Sequence, residues 1–383
     1  MEIHIQKDEI LIDILTRLPV KSLVRFKCVS ESWNTLISEP YFKKKHLNHA
    51  KYQPNSQKLL FSQWSPKDKV FDFYCYSLSL VQLVKDIRKF DWPSSCNPAD
   101  GIKVYCCCDG LFLIGIWSNR DLAQPSIILV WNPSTGESIV LPHSENSTSD
   151  DYDEKTIYGL GYDSTSDDYK VLRIDMCWYD KQILALKSGS WRKIDKTLGR
   201  TNISLLSTME CLTHVHGALH WLGWLSKLFV VSFNISNEMF REIQLPEMMC
   251  LLPLNKIIVD VDVGLSVSGG MLCVYYNKIT FNLWVIKDYG VNESWTKVLA
   301  IPNNEIYRIM PIYRFSDDEV LLNYRDWRTL TRIEYRIISD GLLGLSNRIW
   351  PLDCNDIDVV TIDHKSTFQS VYTESLISPK LGH

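Results

Sequence analysis

The sequence lacks the features that place a chain in a membrane or outside the cell. It contains no run of about 18 or more apolar residues, the length that a helix needs to cross a bilayer. Its opening, MEIHIQKDEI, has no basic segment followed by an apolar one, so we expect no secretory signal. The 11 cysteines are therefore expected to stay reduced in the cytoplasm, the nucleus or both.

The sequence also lacks an excess of one charge and the common catalytic motifs. Its 41 basic and 45 acidic residues are intermixed and give a formal net charge of −4, which predicts neither nucleic-acid nor membrane binding. No C-x-x-C, G-x-S-x-G or G-x-x-x-x-G-K-[ST] motif occurs. We therefore predict no catalytic residue, no metal and no cofactor.

Residues 8–47 have the periodicity of short helices. Leucines and isoleucines between residues 11 and 18 recur on one helix face, and Pro19 ends that helix and begins the next. Ser30 is a predicted N-cap for a third helix, which Pro40 ends. Helices this short are marginal alone, and three of them cannot build a sufficient core. The segment therefore predicts a docking module that another protein, or the rest of the chain, must cover.

From about residue 57 the pattern changes to short apolar runs separated by turn residues, which indicates many strands. A turn pair precedes a strand at intervals of 58, 49, 53 and 48 residues, in Asp109-Gly110, Asp167-Asp168, His216-Gly217, Gly269-Gly270 and Asp317-Asp318. A period near 50 with about four strands per unit is typical of a β-propeller. We predict an all-β domain, a β-propeller of six or seven blades, with closing strands from residues 359–377. Two β-sandwiches are the alternative.

Two stretches of the chain resemble known plant domains. DEILIDILTRLPVKSLVRFKCVSESWNTLISEPYFKKKHL (8–47) resembles the F-box of plant F-box proteins. The remainder is similar to the F-box-associated, kelch-like domain, on strings that include WNPSTGE (131–137), YGLGYDSTSDDYKVLRI (158–174) and VHGALHWL (215–222). The resemblance implies three segments: an F-box over 1–48, a linker over 49–56 and a kelch-like β-propeller over 57–383.

The resemblance implies the substrate-recognition subunit of an SCF ubiquitin ligase. In that reading the F-box docks on a Skp-type adaptor, which joins it to cullin and RING subunits, and the β domain binds a target protein. The ligase chemistry lies in other subunits, so this chain is expected to be non-catalytic. The target, and a role in immunity, pollen recognition or another pathway, stay open.

The resemblance also implies which residues contact the adaptor. They are the apolar F-box positions Ile14, Leu15, Leu18, Pro19, Val20, Leu23, Phe26, Val29 and Trp33. One departure concerns the first helix, which the family usually begins with Leu-Pro and where this chain has Gln6-Lys7. Losing one buried leucine would cost about 1.5–3 kcal/mol, so we expect weakened rather than absent docking.

Two clusters invite a metal or redox interpretation. His214, His216 and His220 form H-x-H-x3-H, and zinc binds such nitrogens, but we expect ordinary strand and turn histidines. The run Cys106–Cys108 cannot converge on one ion, because adjacent strand residues point to opposite faces. We expect buried thiols, with the middle cysteine facing opposite to its neighbours.

Four tryptophans are the candidates for a target-binding surface. Exposed aromatic residues concentrate binding energy, and four tryptophans lie beside predicted loops: Trp92, Trp178, Trp224 and Trp327. The alternative function is a propeller enzyme or small-ligand binder whose degenerate F-box no longer joins a ligase. It would require polar groups that converge on the central channel.

Overall fold

The computed structural model gives a helical region followed by a β domain. The residues that it describes are 2–53, 56–65, 70–78, 88–91, 101–118, 124–144, 156–175, 180–194, 204–205, 212–224, 226–246, 249, 262–277, 280–302, 306–314, 319–326, 333–341, 344–349 and 369–380.

The N-terminal region contains four helices, so the prediction of three was wrong. They are α1 (Glu2–Leu15), α2 (Val20–Phe26), α3 (Glu31–Ser38) and α4 (Pro40–Lys51), and we call them together the helical module. Pro40 does follow the end of α3, as predicted, but it also occupies the first turn of α4. Proline suits that position because the N–H it lacks would have no partner inside the helix. The helix α4 therefore covers the first residues of the predicted linker.

The ends of the helices follow local chemistry. Ser30 caps α3 as predicted, because its Oγ accepts a hydrogen bond of 3.2 Å from the backbone N–H of Trp33. The helix α1 begins at Glu2 rather than near Asp8. A proline at position 7, as in the family, would favour a helix that begins near that residue. This chain has lysine there, so α1 extends further toward the N-terminus.

The β domain consists of short antiparallel strands. In chain order they are β1 (Gln57–Ser65), β2 (Val70–Ser77), β3 (Arg88–Phe90), β4 (Gly101–Cys108), β5 (Leu111–Trp117), β6 (Ile127–Trp131), β7 (Ser138–Val140), β8 (Thr156–Asp163), β9 (Asp168–Asp175), β10 (Lys181–Ala185), β11 (Ser190–Lys193), β12 (Ser204–Leu205), β13 (Thr213–Val215), β14 (Ala218–Trp224), β15 (Leu228–Asn234), β16 (Phe240–Gln244), β17 (Asp262–Ser268), β18 (Met271–Asn277), β19 (Thr280–Ile286), β20 (Trp295–Pro302), β21 (Ile306–Arg314), β22 (Glu319–Asp326), β23 (Ile333–Gly341), β24 (Gly344–Ile349) and β25 (Gln369–Thr373). A short 3-10 helix, Asn292–Ser294, precedes β20.

These strands form a β-propeller, as predicted. Among the described residues they pair into six antiparallel sheets: β25-β1-β2-β3, β4 to β7, β8 to β11, β12 to β16, β17 to β20 and β21 to β24. The first strand of each sheet contacts the next sheet, and β21 contacts β25, so the sheets follow one another in a closed ring. The predicted closing strand is confirmed as β25, which pairs with β1 from Gln57↔Thr373 to Phe61↔Gln369.

The turn pairs that marked the repeat join the first and second strands of successive sheets. Asp109 and Gly110 both have positive φ, as do His216 and Gly217, and Gly269 and Gly270. Two successive positive φ values match the twist of a tight antiparallel hairpin. Asp167, at the second such turn, has φ 52. The fifth predicted pair, Asp317-Asp318, lies outside the described residues.

The apolar core of the propeller lies between its sheets. One buried cluster joins Leu60, Phe73, Phe112 and Trp131 of the first two sheets, and further clusters fill the later junctions. The propeller has two faces, because the connections between antiparallel strands alternate. We call the face that contacts α4 the helix-side face. It carries the turns after the first and third strands of each sheet, and the other connections start and end at the distal face.

Candidate functional site

The helical module has a small apolar core of its own. The buried side chains are Leu15, Val20, Leu23, Ile37, Phe42 and Leu376, which we call the helical core. The first five come from the four helices, and the sixth comes from the segment that follows β25. Leu11, Ile12, Leu18, Phe26, Trp33 and Leu36 pack around this core and are partly buried. The rings of Phe26 and Trp33 meet edge to face with centroids 5.3 Å apart.

Other apolar side chains of the module point to solvent. Ile10 is 57% exposed and Ile14 is 56% exposed, and they lie one turn apart on α1. Val29, in the connection between α2 and α3, is 65% exposed, and Val24 on α2 is also exposed. These four residues are the exposed apolar set. Neighbouring apolar side chains left open to water, such as Ile10 and Ile14, are typical of a protein-binding surface, whereas single ones are common on any surface.

The last helix holds the module against the helix-side face of the propeller. The Lys44 ammonium donates hydrogen bonds of 2.7 Å to the Tyr162 hydroxyl and 2.9 Å to the Asp167 carboxylate, and these bonds raise its pKa. Lys51 lies 2.5 Å from the carboxylate of Asp109. Burial lowers the pKa of Lys51, but the attraction of that carboxylate outweighs burial and the pKa is raised. These contacts place the first half of α4 on the β8–β9 turn and its end on the β4–β5 turn.

Comparison with known proteins assigns both regions. Residues 8–45 match the family described as F-box domain, and residues 52–319 match the family described as F-box associated beta propeller domain. The chain belongs to the F-box proteins with a C-terminal F-box-associated β-propeller. The helical module is therefore the F-box together with its flanking helical residues, and the β domain is the F-box-associated propeller.

Two curated relatives come from one plant species. The F-box protein CPR1 of Arabidopsis thaliana is 28% identical over 320 residues, which cover 76% of this chain and 72% of that protein. The F-box/kelch-repeat protein At3g23880 of the same species is 28% identical over 328 residues, which cover 83% of this chain and 85% of that protein. Both relatives support membership of the plant F-box proteins.

The structure divides the predicted adaptor contacts into three groups. Ile14, Pro19 and Val29 are exposed and can meet a partner directly. Leu18, Phe26 and Trp33 are partly buried beside the F-box core. Leu15, Val20 and Leu23 are buried in that core, so in this conformation they support the surface and do not form it. A direct adaptor contact by these three stays a prediction. Helix periodicity marks an apolar stripe without showing which members the neighbouring helices cover.

Sequence reasoning missed two members of the exposed apolar set. Ile10 lies four residues before Ile14 and shares its helix face, so the spacing could have identified it. Val24 is not among the predicted contacts, and on α2 it points outward beside the exposed Arg25. The side chains of Gln6 and Lys7 lie outside the described part of the chain.

The predicted target-binding tryptophans are mostly untested. Trp92, Trp178 and Trp327 lie outside the described residues. Trp224 ends β14 at the distal face and is partly buried against the cluster between the fourth and fifth sheets. Its position at that face is compatible with the predicted role, which stays a prediction.

Hydrogen bonds inside the propeller hold the ring of His220, the last histidine of the H-x-H-x3-H motif. The Nε2 of His220 lies 2.7 Å from the Tyr289 hydroxyl, and its Nδ1 lies 3.2 Å from the Thr213 carbonyl oxygen. Burial lowers the pKa of His220 to about 4, so the ring is neutral at pH 7. Within the part of the chain that is described, no group of three or more His, Cys, Asp or Glu side chains is placed to hold a metal ion.

The cysteine run has the predicted alternation. Cys106 and Cys108 pack in the cluster between the second and third sheets, whereas Cys107 packs against the cluster between the first and second. A register shift between Val104 and Cys106 accommodates the neighbouring Tyr105, whose side chain lies on the same side of the sheet as that of Cys106.

Among the described residues, no helix has the length and apolar character needed to cross a membrane.

Proposed function

We propose that this protein is the substrate-recognition subunit of an SCF E3 ubiquitin ligase. Its F-box docks on a Skp-type adaptor, which links it to cullin and RING subunits, and its propeller binds a target protein for ubiquitination. The chain itself is non-catalytic and acts in the cytoplasm, the nucleus or both. The observation that carries the proposal is the exposed apolar set on an F-box whose own core is already filled.

The size of the exposed apolar set suits a protein interface. Fully burying one isoleucine or valine side chain is worth about 1.5–3 kcal/mol. Covering Ile10, Ile14 and Val29 therefore supplies enough free energy to offset part of the cost of association. The exposed cations Lys21 and Arg25 on α2 favour an adaptor surface that is acidic around an apolar centre.

The docking part of the proposal is tested with Ile14→Asp and Val29→Asp. Both positions are exposed, so the F-box should remain folded while a charge enters the interface. We expect each change to weaken binding of a purified Skp adaptor at least about 10-fold in calorimetry, because 1.4 kcal/mol corresponds to a factor of 10. Val140→Asp, at an exposed valine of β7, is the matched control and should bind normally. If the full-length protein binds no adaptor, the ligase assignment is wrong.

The geometry favours the distal face of the propeller as the target site. The F-box occupies part of the helix-side face through Lys44 and Lys51, whereas the distal face lies on the other side of the ring. Ser226 is exposed in the β14–β15 connection at the distal face, and Ser188 is exposed in the β10–β11 turn at the helix-side face. These two serines allow a test that distinguishes the faces.

The target side is tested by affinity purification from plant tissue under proteasome inhibition. Target proteins should be captured by both wild type and Ile14→Asp. We expect Ser226→Trp to lose these proteins and Ser188→Trp to retain them. Point variants suit this comparison better than removal of the F-box, because removing the helices would expose Leu376. Equal capture by Ser226→Trp and wild type would exclude this part of the distal face.

A further inference from the structure

The segment after the last strand connects the propeller to the F-box. We call Glu374–Lys380 the tail; it follows β25 at the helix-side face. Leu376 is 2% exposed and belongs to the helical core with Leu23 and Phe42. The next residue, Ile377, packs instead against the cluster between the second and third sheets. Two neighbouring tail residues therefore pack in two different cores.

The tail is anchored by a fully buried side chain of the propeller. The Asn132 amide nitrogen donates hydrogen bonds of 3.0 Å to the Ser375 carbonyl oxygen and 2.8 Å to the Ile377 carbonyl oxygen. The Asn132 side-chain oxygen accepts a bond of 2.8 Å from the Ser134 N–H and so forms the β6–β7 turn. Asn234 uses its side-chain oxygen for the same kind of turn between β15 and β16. Asn132 thus stabilises the β6–β7 turn with its side-chain oxygen and binds the tail with its side-chain nitrogen.

The β4–β5 turn leaves room for the tail. Gly110 has φ +81, and a Cβ added there would lie 2.7 Å from the Ser375 Oγ and 2.8 Å from the Thr373 carbonyl oxygen. Ser375 in turn donates a hydrogen bond of 2.6 Å to the Asp109 carbonyl oxygen. The neighbouring side chain of Asp109 pairs with Lys51 at the end of α4. The same turn therefore holds both the tail and the last helix.

We propose that the tail is an integral part of the F-box, so that the helical core is complete only when Leu376 is seated. Of the buried apolar side chains that form the helical core, Leu376 is the member supplied from outside the helices. Short helices depend on tertiary packing for stability. Seating of the tail should therefore control both the order of the F-box helices and their affinity for an adaptor. Only the expected effect on adaptor affinity rests on the proposed function; the expected effect on helix order does not.

The first test compares Leu376→Ala with Ile377→Ala in the full chain. Hydrogen exchange of amides in α2 and α3 is measured without any adaptor, and adaptor affinity is then measured by calorimetry. We expect Leu376→Ala to speed exchange in these helices and to weaken adaptor binding, each at least about 10-fold. Ile377→Ala should change both properties less than Leu376→Ala does, because its side chain packs in the propeller and the change leaves Leu376 itself in place.

The second test removes the anchor and leaves Leu376 in place. Asn132→Asp keeps an oxygen for the turn but loses the amide donor and sets a negative charge against two carbonyl oxygens. Asn234→Asp keeps the corresponding turn and is the matched control. Exchange in α2 and α3 should rise only in Asn132→Asp. Unchanged exchange in Leu376→Ala, or an equal rise in Asn132→Asp and Asn234→Asp, overturns the proposal. Because exchange needs no partner, failure of wild type to bind adaptor would count against the proposed function alone.

Discussion

The F-box and the propeller differ in how many of their large apolar side chains are exposed to solvent. Of the ten large apolar residues exposed among the described side chains, six lie between Ile10 and Tyr52, and only four lie in the much longer propeller. The propeller can bury apolar residues on both surfaces of its sheets, because each sheet has a neighbour on either side. The F-box has too few elements to cover its outward-facing residues. The difference shows that apolar exposure in this protein is concentrated where a partner is expected to bind.

The sharpest test of this difference compares two phenylalanines. Phe42 lies in the helical core and Phe233 lies in the propeller, and both are fully buried. Truncation to alanine costs about 3–5 kcal/mol at either site. We expect Phe42→Ala to unfold the small F-box selectively, while Phe233→Ala leaves a folded but less stable propeller. Limited proteolysis followed by mass spectrometry distinguishes the two. Retention of a protected F-box in Phe42→Ala would contradict the comparison.

An intermediate effect is expected from acid. Burial lowers the pKa of His220 to about 4, so this ring stays neutral in the folded propeller but binds a proton in the unfolded chain near pH 6.5. The resulting loss of stability is absent above about pH 6.5 and grows as the pH falls, to about 3 kcal/mol at pH 4. Urea unfolding of the propeller at pH 7 and pH 4 measures it. His220→Gln, which cannot take up the proton, should lose less stability over this range than wild type.

The smallest effect is expected at the contact between the two regions. Lys44 and Asp167 form an ion pair with both side chains more than half exposed. Exposed pairs contribute about 0.2–1 kcal/mol and weaken as salt is added. Lys44→Ala should therefore lower stability by less than about 1 kcal/mol and leave the F-box docked, as judged by thermal unfolding at low and high salt. A larger loss would mean that Lys44, rather than the tail, dominates this contact.

Local chemistry predicted the repeating parts of the fold. Asp109-Gly110 and His216-Gly217 were recognised as turns because their residue types suit positive φ, and the structure confirms them. Pro40 shows the limit of such signals, since a proline that ends one helix also suits the start of another. The interval between turns predicted the propeller, because each sheet repeats one local pattern of turns and strands.

Contacts between distant residues could not be predicted in the same way. Leu376 is an ordinary leucine in the sequence, and only the closed ring brings it to Leu15 and Phe42. Asn132 was noticed as part of a family string, but its bonds to residues 375 and 377 cross most of the chain. For the exposed apolar set, helix spacing indicates which residues share a face. It does not reveal that Leu15 turns inward while the adjacent Ile14 remains open to solvent.

The pairing of β25 with β1 has a consequence for synthesis of the protein. The first sheet receives its closing strand, β25, only when the ribosome has translated residues 369–373, and Leu376 follows soon after. A product that stops before this point leaves the ring open at the strand next to the F-box and leaves a gap in the helical core. Such unfinished chains would then be poor competitors for the proposed adaptor, and the order of strands would favour assembly of chains that contain β25 and Leu376.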